Sequence, residues 1–205
     1  MATFAAHQGG CTSNPTDGLP RHPNFVVFLA DSLRADHLPC YGHSLQTAPV
    51  ISAFSEDNLC FERCHAVATW TKPATASILT GVHPLLHRTI VSEWAEEGVL
   101  RDHQFQVLPP DITTTAETLS RVGYDTAFFQ ANPNARDKLG FSRGCNHYHF
   151  RINESPDDHM DAVLSWLDTE AREPFYAYIH LIDPHEPYAA DSDIIANLIG
   201  TSLED

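Results

Sequence analysis

Apolar and polar positions fall in alternating blocks along this chain, and the blocks read as strands and helices taking turns. Phe25 to Ala30 is an unbroken apolar run rich in β-formers, the pattern of a strand buried on both faces. Pro49 to Asn58 sets Val50, Ile51 and Phe54 at helical spacing and predicts a short amphipathic helix. Phe61 to Ala68 is expected as a second strand. Thr69 to Gly81 reads as a loop entering a short helix, with Pro73 in the first turn and Gly81 as the stop. Residues 82–111 carry His, Glu and Pro without periodicity and are expected to be irregular. Thr114 to Val122 predicts a helix capped by Thr113 or Thr114 and stopped at Gly123. A strand from Tyr124 to Phe129, a loop over 130–156 and a helix from Asp157 to Glu170 follow; Met160, Val163, Leu164 and Leu167 share one helix face. Phe175 to Ile182 is the last strand and runs into Asp183-Pro-His-Glu-Pro-Tyr188.

Strands alternating with helices predict an α/β fold with a mostly parallel sheet flanked by helices. The 205 residues suffice for one domain with a sizeable core. We divide the chain into a flexible Gly-, Pro- and Ser-bearing leader (1–22), a main domain (23–190) and a tail or cut helix (191–205). No repeat or low-complexity tract interrupts it.

Charge narrows the choice of partners. Acidic residues outnumber basic ones 27 to 12, for a formal net charge of −15. Such a surface repels nucleic acid and anionic headgroups, and suits a high-salt cytoplasm in which ions screen the self-repulsion. No apolar run is long enough to span a bilayer and no charged-then-apolar leader marks secretion, so the expected location is the cytoplasm. The five cysteines are odd in number and scattered, against a disulfide framework. Cys60, Cys64 and His65 have no second pair at ligand spacing, so buried thiols are expected in place of a zinc site.

In an open α/β sheet, ligands bind beyond the carboxyl ends of the strands. Asp31 follows the first predicted strand, Thr71 the second and His185 the last. Taken singly, such residues are usually solvated loop positions or, for Thr71, a helix cap. Their setting adds more. Phe25 to Gly42 resembles the opening strand and metal loop of sulfatases, in the alkaline phosphatase superfamily. Trp70 to Pro84 resembles the nucleophile segment of that family, Thr115 to Phe129 the helix and strand that follow, and Phe175 to Tyr188 the strand leading into Asp-Pro-His-x-Pro-Tyr. The matches occur in the family's order across residues 23–188.

The resemblance implies a three-layer αβα sandwich of the alkaline phosphatase type. It implies a hydrolase of sulfate or phosphate esters, on a small molecule or a carbohydrate, acting by metal-assisted nucleophilic attack. Asp31 would be a carboxylate ligand of Ca²⁺, Mg²⁺ or Mn²⁺. Thr71 would be the nucleophile and touch the metal, and His185 would meet the transferring group or assist the leaving group. His180 is expected to be a packed strand histidine. The departures matter as well. The family's nucleophile is usually Cys or Ser, which becomes formylglycine, and Thr71 cannot give that aldehyde; it resembles branches that use a Thr hydroxyl for phosphoryl transfer. Thr75 stands in place of the motif's Arg, Ser32 in place of a second metal Asp, and Gln130-Ala-Asn-Pro-Asn134 in place of Gly-Lys-Trp-His. No later Asp-His or Asp-Asn pair follows, and one carboxylate plus one hydroxyl falls short of the roughly six oxygens that such cations favour. The alternative expectation is a truncated, non-catalytic remnant or half of a split enzyme, with a partner chain or self-association completing the sheet.

Overall fold

The computed structural model describes residues 4–5, 22–91, 107–152, 154–186 and 192–199. The chain forms two compact units, one of Met1–Asn14, Ala30–His65 and Asp183–Asp205, the other of Pro15–Leu29 and Ala66–Ile182.

The larger unit is built on a four-stranded sheet of β2 (Phe25–Ala30), β6 (Phe175–Leu181), β4 (Asp125–Gln130) and β5 (His147–Phe150), in that order. The central strand β4 pairs parallel to both neighbours, with Phe129 opposite His149 on one side and Ile179 on the other. Alternation along β4 sorts the side chains. Ala127 and Phe129 join Ala177, Ile179, Val163 and Trp166 in a buried cluster beneath α5 (Pro156–Thr169). Thr126, Phe128 and Gln130 point the other way and are equally buried, with Phe128 stacked on Tyr178 at 5.0 Å between centroids. Burial on both faces is what helices on either side of a parallel sheet require. Ser155 caps α5 by accepting from Asp158 N at 3.1 Å.

Helix α2 (Thr71–Thr80) ends at Gly81, whose left-handed φ of 69° lets its N–H reach Ser77 O at 2.8 Å. A four-residue helix, α3 (Pro84–His87), follows. Helix α4 (Thr115–Arg121) opens on a capping box: Thr114 Oγ1 accepts from Glu117 N at 3.0 Å and Glu117 Oε2 accepts from Thr114 N at 2.8 Å. Thr115 Oγ1 donates to Leu79 O at 2.9 Å and so ties α4 to the end of α2.

In the smaller unit, β1 (Phe4–Ala5) pairs antiparallel with β3 (Leu59–Cys60). Two 3₁₀ turns at Ala35–His37 and Pro39–Tyr41 lead to α1 (Pro49–Glu56), and α6 spans Ser192–Ile199. No helix among the described residues is long and apolar enough to cross a membrane.

Several expectations change. Residues 61–68 are not a strand: only Leu59–Cys60 pairs, and the stretch beyond it is mostly exposed because Glu62, Arg63 and His65 break any apolar face. Strand β2 is not buried on both faces. It lies at the sheet edge and leaves Phe25, Val26 and Phe28 exposed, Phe28 at 53%. Within the expected loop 130–156 lies β5, and Pro84–His87 is helical within the segment expected to be irregular. No described cysteine is a buried thiol: Cys64 is exposed, and Cys40, Cys60 and Cys145 are half-buried. Most of the predicted leader and residues 92–106 lie outside the described residues.

Candidate active site

Thr71 is the first residue of α2, so it stands at the amino end of a helix whose dipole and first-turn N–H groups favour an anion. Trp70, the residue before it, gives that turn no side-chain cap, and Pro73 in the first turn has no N–H to satisfy. Asn132 Nδ2 approaches Thr71 Oγ1 at 3.5 Å. The Asn132 amide is held in this sense because its Oδ1 accepts from Asn134 N at 2.8 Å, which turns the Nδ2 side toward Thr71. Gln130, at the carboxyl end of β4, sets the loop in turn. Its Oε1 accepts from Asn132 N at 2.6 Å, and its Nε2 donates to His180 Nδ1 at 3.1 Å. An acceptor Nδ1 leaves the proton of neutral His180 on Nε2. The expected packed strand histidine is thus a buried member of a polar chain that runs to Thr71.

Two further residues of α2 bear on this site. Lys72 is fully buried and its Nζ donates to Val91 O at 3.1 Å. Thr75 lies one turn after Thr71 on the same side of the helix. It is buried, and its Oγ1 has no hydrogen-bond partner among the described residues.

Asp31 directly follows β2 and is buried, with Ser32 Oγ donating to its Oδ1 at 3.3 Å. Ser32 holds φ at 58°, a left-handed conformation that is uncommon outside glycine. His185 is partly buried, and its Nδ1 lies 2.9 Å from Glu186 O. Asp31 and His185 fall in the smaller unit and Thr71 in the larger.

Among the described residues, one group of three side chains has metal-ligand spacing, and it contains none of these. His149, Glu154 and His159 place their donor atoms within 4.8 Å of one another. A cleft of about 590 Å³ also opens at the amino end of β4, beside Asp125, Asn146 and Arg172. It lies at the end of the strands opposite to Gln130, away from where α/β sheets hold their ligands.

The sequence singled out Thr71, Asp31 and His185 as candidates, and it did not single out Asn132 and Gln130 as the polar groups that lead to Thr71. The Asn-Pro-Asn turn of 132–134 was the available signal for a loop that aims an amide. Cys145 is half-buried, and desolvation pushes its thiol up to about 12, away from the thiolate form that nucleophilic attack needs.

Comparison with known proteins places these features in a family. A family model described as Sulfatase matches residues 23–197. Mouse (Mus musculus) steryl-sulfatase is 32% identical over 114 residues, 55% of this chain and 18% of that protein. Human (Homo sapiens) arylsulfatase A is 33% identical over 106 residues, 52% of this chain and 20% of that protein. The chain therefore spans about a fifth of the length of these relatives. Among solved structures, one in complex with its substrate D-glucosamine-2-N,6-O-disulfate aligns over 90% of this chain and 39% of its own, at TM-score 0.69 and 18% identity. The phosphonate monoester hydrolase of Agrobacterium radiobacter aligns over 82% of this chain and 42% of its own, at TM-score 0.63 and 18% identity. The fold is the one these solved structures share, and the chain belongs to the sulfatase family.

Proposed function

We propose that this chain carries the nucleophile-bearing part of a hydrolase that cleaves a sulfate or phosphate ester of a small molecule or carbohydrate. The observation that carries the reading is Thr71 at the mouth of α2, with the Asn132 amide turned toward its hydroxyl. The Thr71 hydroxyl loses its proton to water, and its oxygen attacks sulfur or phosphorus and forms a new ester bond while the bond to the substrate oxygen breaks. The departing oxygen takes up a proton, a role that suits an imidazole such as His185, and a second water hydrolyses the Thr71 ester to release sulfate or phosphate. Asn132 holds the Thr71 oxygen in line.

A divalent cation, Ca²⁺, Mg²⁺ or Mn²⁺, supplies neutralisation of charge on the transferring group when bound. Asp31 offers carboxylate oxygens and Thr71 a hydroxyl, each a donor of the kind such hard ions take and each one of the roughly six that they favour. Support for a sulfated carbohydrate comes from the bound disulfate of one structural neighbour and from N-acetylglucosamine-6-O-sulfatase of Bacteroides thetaiotaomicron, 25% identical over 127 residues. The threonine in place of Cys or Ser favours a direct hydroxyl attack over aldehyde chemistry, and so leaves phosphate esters in scope.

The test is hydrolysis of 4-nitrophenyl sulfate and 4-nitrophenyl phosphate with each of the three cations. Thr71→Ala should lower kcat by roughly 10³-fold or more while Thr71→Ser keeps most of it. Unchanged turnover in Thr71→Ala overturns the assignment. A second reading, a partner chain along β2, is favoured by the exposed Phe25, Val26 and Phe28 on that edge strand.

A further inference from the structure

Strand β5, the segment after it and the first turns of α5 gather a second set of reactive side chains. His149 Nε2 lies 2.7 Å from Glu154 Oε2, and His159 Nδ1 lies 2.9 Å from the same oxygen. The two imidazole rings stand 5.7 Å apart at 70°. Phe129 lines them both, on the α5 face of the sheet, so Gln130 lies on the opposite face. Glu154 and His149 keep only 12% and 19% of their side chains exposed, and His159 keeps 1%. This is not the solvated acidic patch that surfaces commonly carry.

The set brings both imidazoles to one carboxylate oxygen, through His149 Nε2 and His159 Nδ1. Its donor chemistry is distinctive. Two imidazole nitrogens and one carboxylate form the His₂Glu set that Zn²⁺ takes with water in the fourth position, whereas Ca²⁺ and Mg²⁺ want oxygens. Bonds of ~2.0–2.1 Å place neighbouring donors of a tetrahedral site roughly 3.3 Å apart. The observed 2.7 and 2.9 Å are therefore about half an ångström short of that spacing. The exposed fraction of His149 and Glu154 supplies the open side for entry and for water.

We propose that His149, Glu154 and His159 form a three-ligand site for a transition divalent cation of the Zn²⁺ class, which clasps the end of β5 to the start of α5. The site differs from the hydrolytic one in both residues and donor type, and it does not rest on the ester-hydrolase reading.

The experiment is calorimetric titration of the full chain with Zn²⁺. A Cys60→Ser, Cys64→Ser background removes competing thiolates. One ion should bind per chain, and His149→Ala should weaken it by more than roughly 100-fold, beyond what loss of an outer hydrogen bond does. Glu154→Gln is the second variant should His149→Ala fail to fold, and circular dichroism checks both. Co²⁺ in place of Zn²⁺ should give visible d–d bands without thiolate charge transfer. Zn²⁺ should raise the Tm of the parent and not of the variants. No binding, equal affinity in a folded variant, or thiolate bands that persist would each overturn the site.

Discussion

Gly144 lets a loop lie against a helix at a distance no other residue tolerates. It sits at φ +82°, and a Cβ built there would fall 2.5 Å from Glu117 Cα and 2.7 Å from Ala116 C. These are backbone atoms of the first turn of α4, which cannot swing aside as a side-chain tip can. Gly144→Ala should therefore incur two costs. Holding alanine in the left-handed region is worth about 1–2 kcal/mol. Forcing the loop off the helix adds about 1–3 kcal/mol, the usual cost of overpacking. The sum, about 2–5 kcal/mol, is a large share of the 5–15 kcal/mol typical of a whole domain. Gly123→Ala is the control, because Gly123 has φ +94° and nothing within 4 Å of its added Cβ. It should show only the first cost, and the loss of unfolded-state freedom on going from Gly to Ala is common to both. Urea unfolding followed by circular dichroism separates them. Gly144→Ala and Gly123→Ala agreeing within about 0.5 kcal/mol would refute the contact argument. The effect should also reach the capping box, since Glu117 supplies both of its bonds to Thr114, and through Thr115 the end of α2.

Acid should destabilise the fold in two stages. Burial holds His87 and His159 below their ordinary 6.5. Burial raises Glu154, but hydrogen bonds from His149 and His159 outweigh it and leave its carboxyl below 4.5. All three groups bind fewer protons folded than unfolded, so stability is fully present above the unfolded values and declines as pH falls. The Tm should be flat above about pH 7 and drop toward about pH 5 and below; a Tm independent of pH over that span would remove the basis for this. Sedimentation should show concentration-dependent self-association through the exposed apolar residues of β2, and Phe28→Glu should reduce it. A monodisperse monomer at high concentration counts against that edge as an interface.

What was legible in the sequence was local. The Thr114 cap and the Gly81 and Gly123 stops each depend on residues within a turn or two of one another, and the structure has them where the letters put them. On α5, Met160, Val163 and Leu167 face the core as their spacing predicted, but Leu164 is exposed and Trp166 takes its place. Strand β5 was not legible. His147-Tyr-His-Phe150 is short and polar, and it becomes a strand because Phe129 and its neighbours present a parallel partner twenty residues away in the chain. The burial of β2 was misread for a related reason: an apolar run states that a strand can be buried, not what covers it. At the site, Thr71 came from a motif, but the amide chain from His180 through Gln130 to Asn132 exists only through tertiary packing.

The burial of Lys72 has an experimental use. The sequence holds two lysines, and the other, Lys138, is exposed. An acylating reagent meeting the native chain finds Lys138 exposed, while Lys72 reacts only when its helix lifts away from Val91. Its labelling rate thus clocks the opening of the very turn that presents Thr71, in the unmutated protein and without an attached dye.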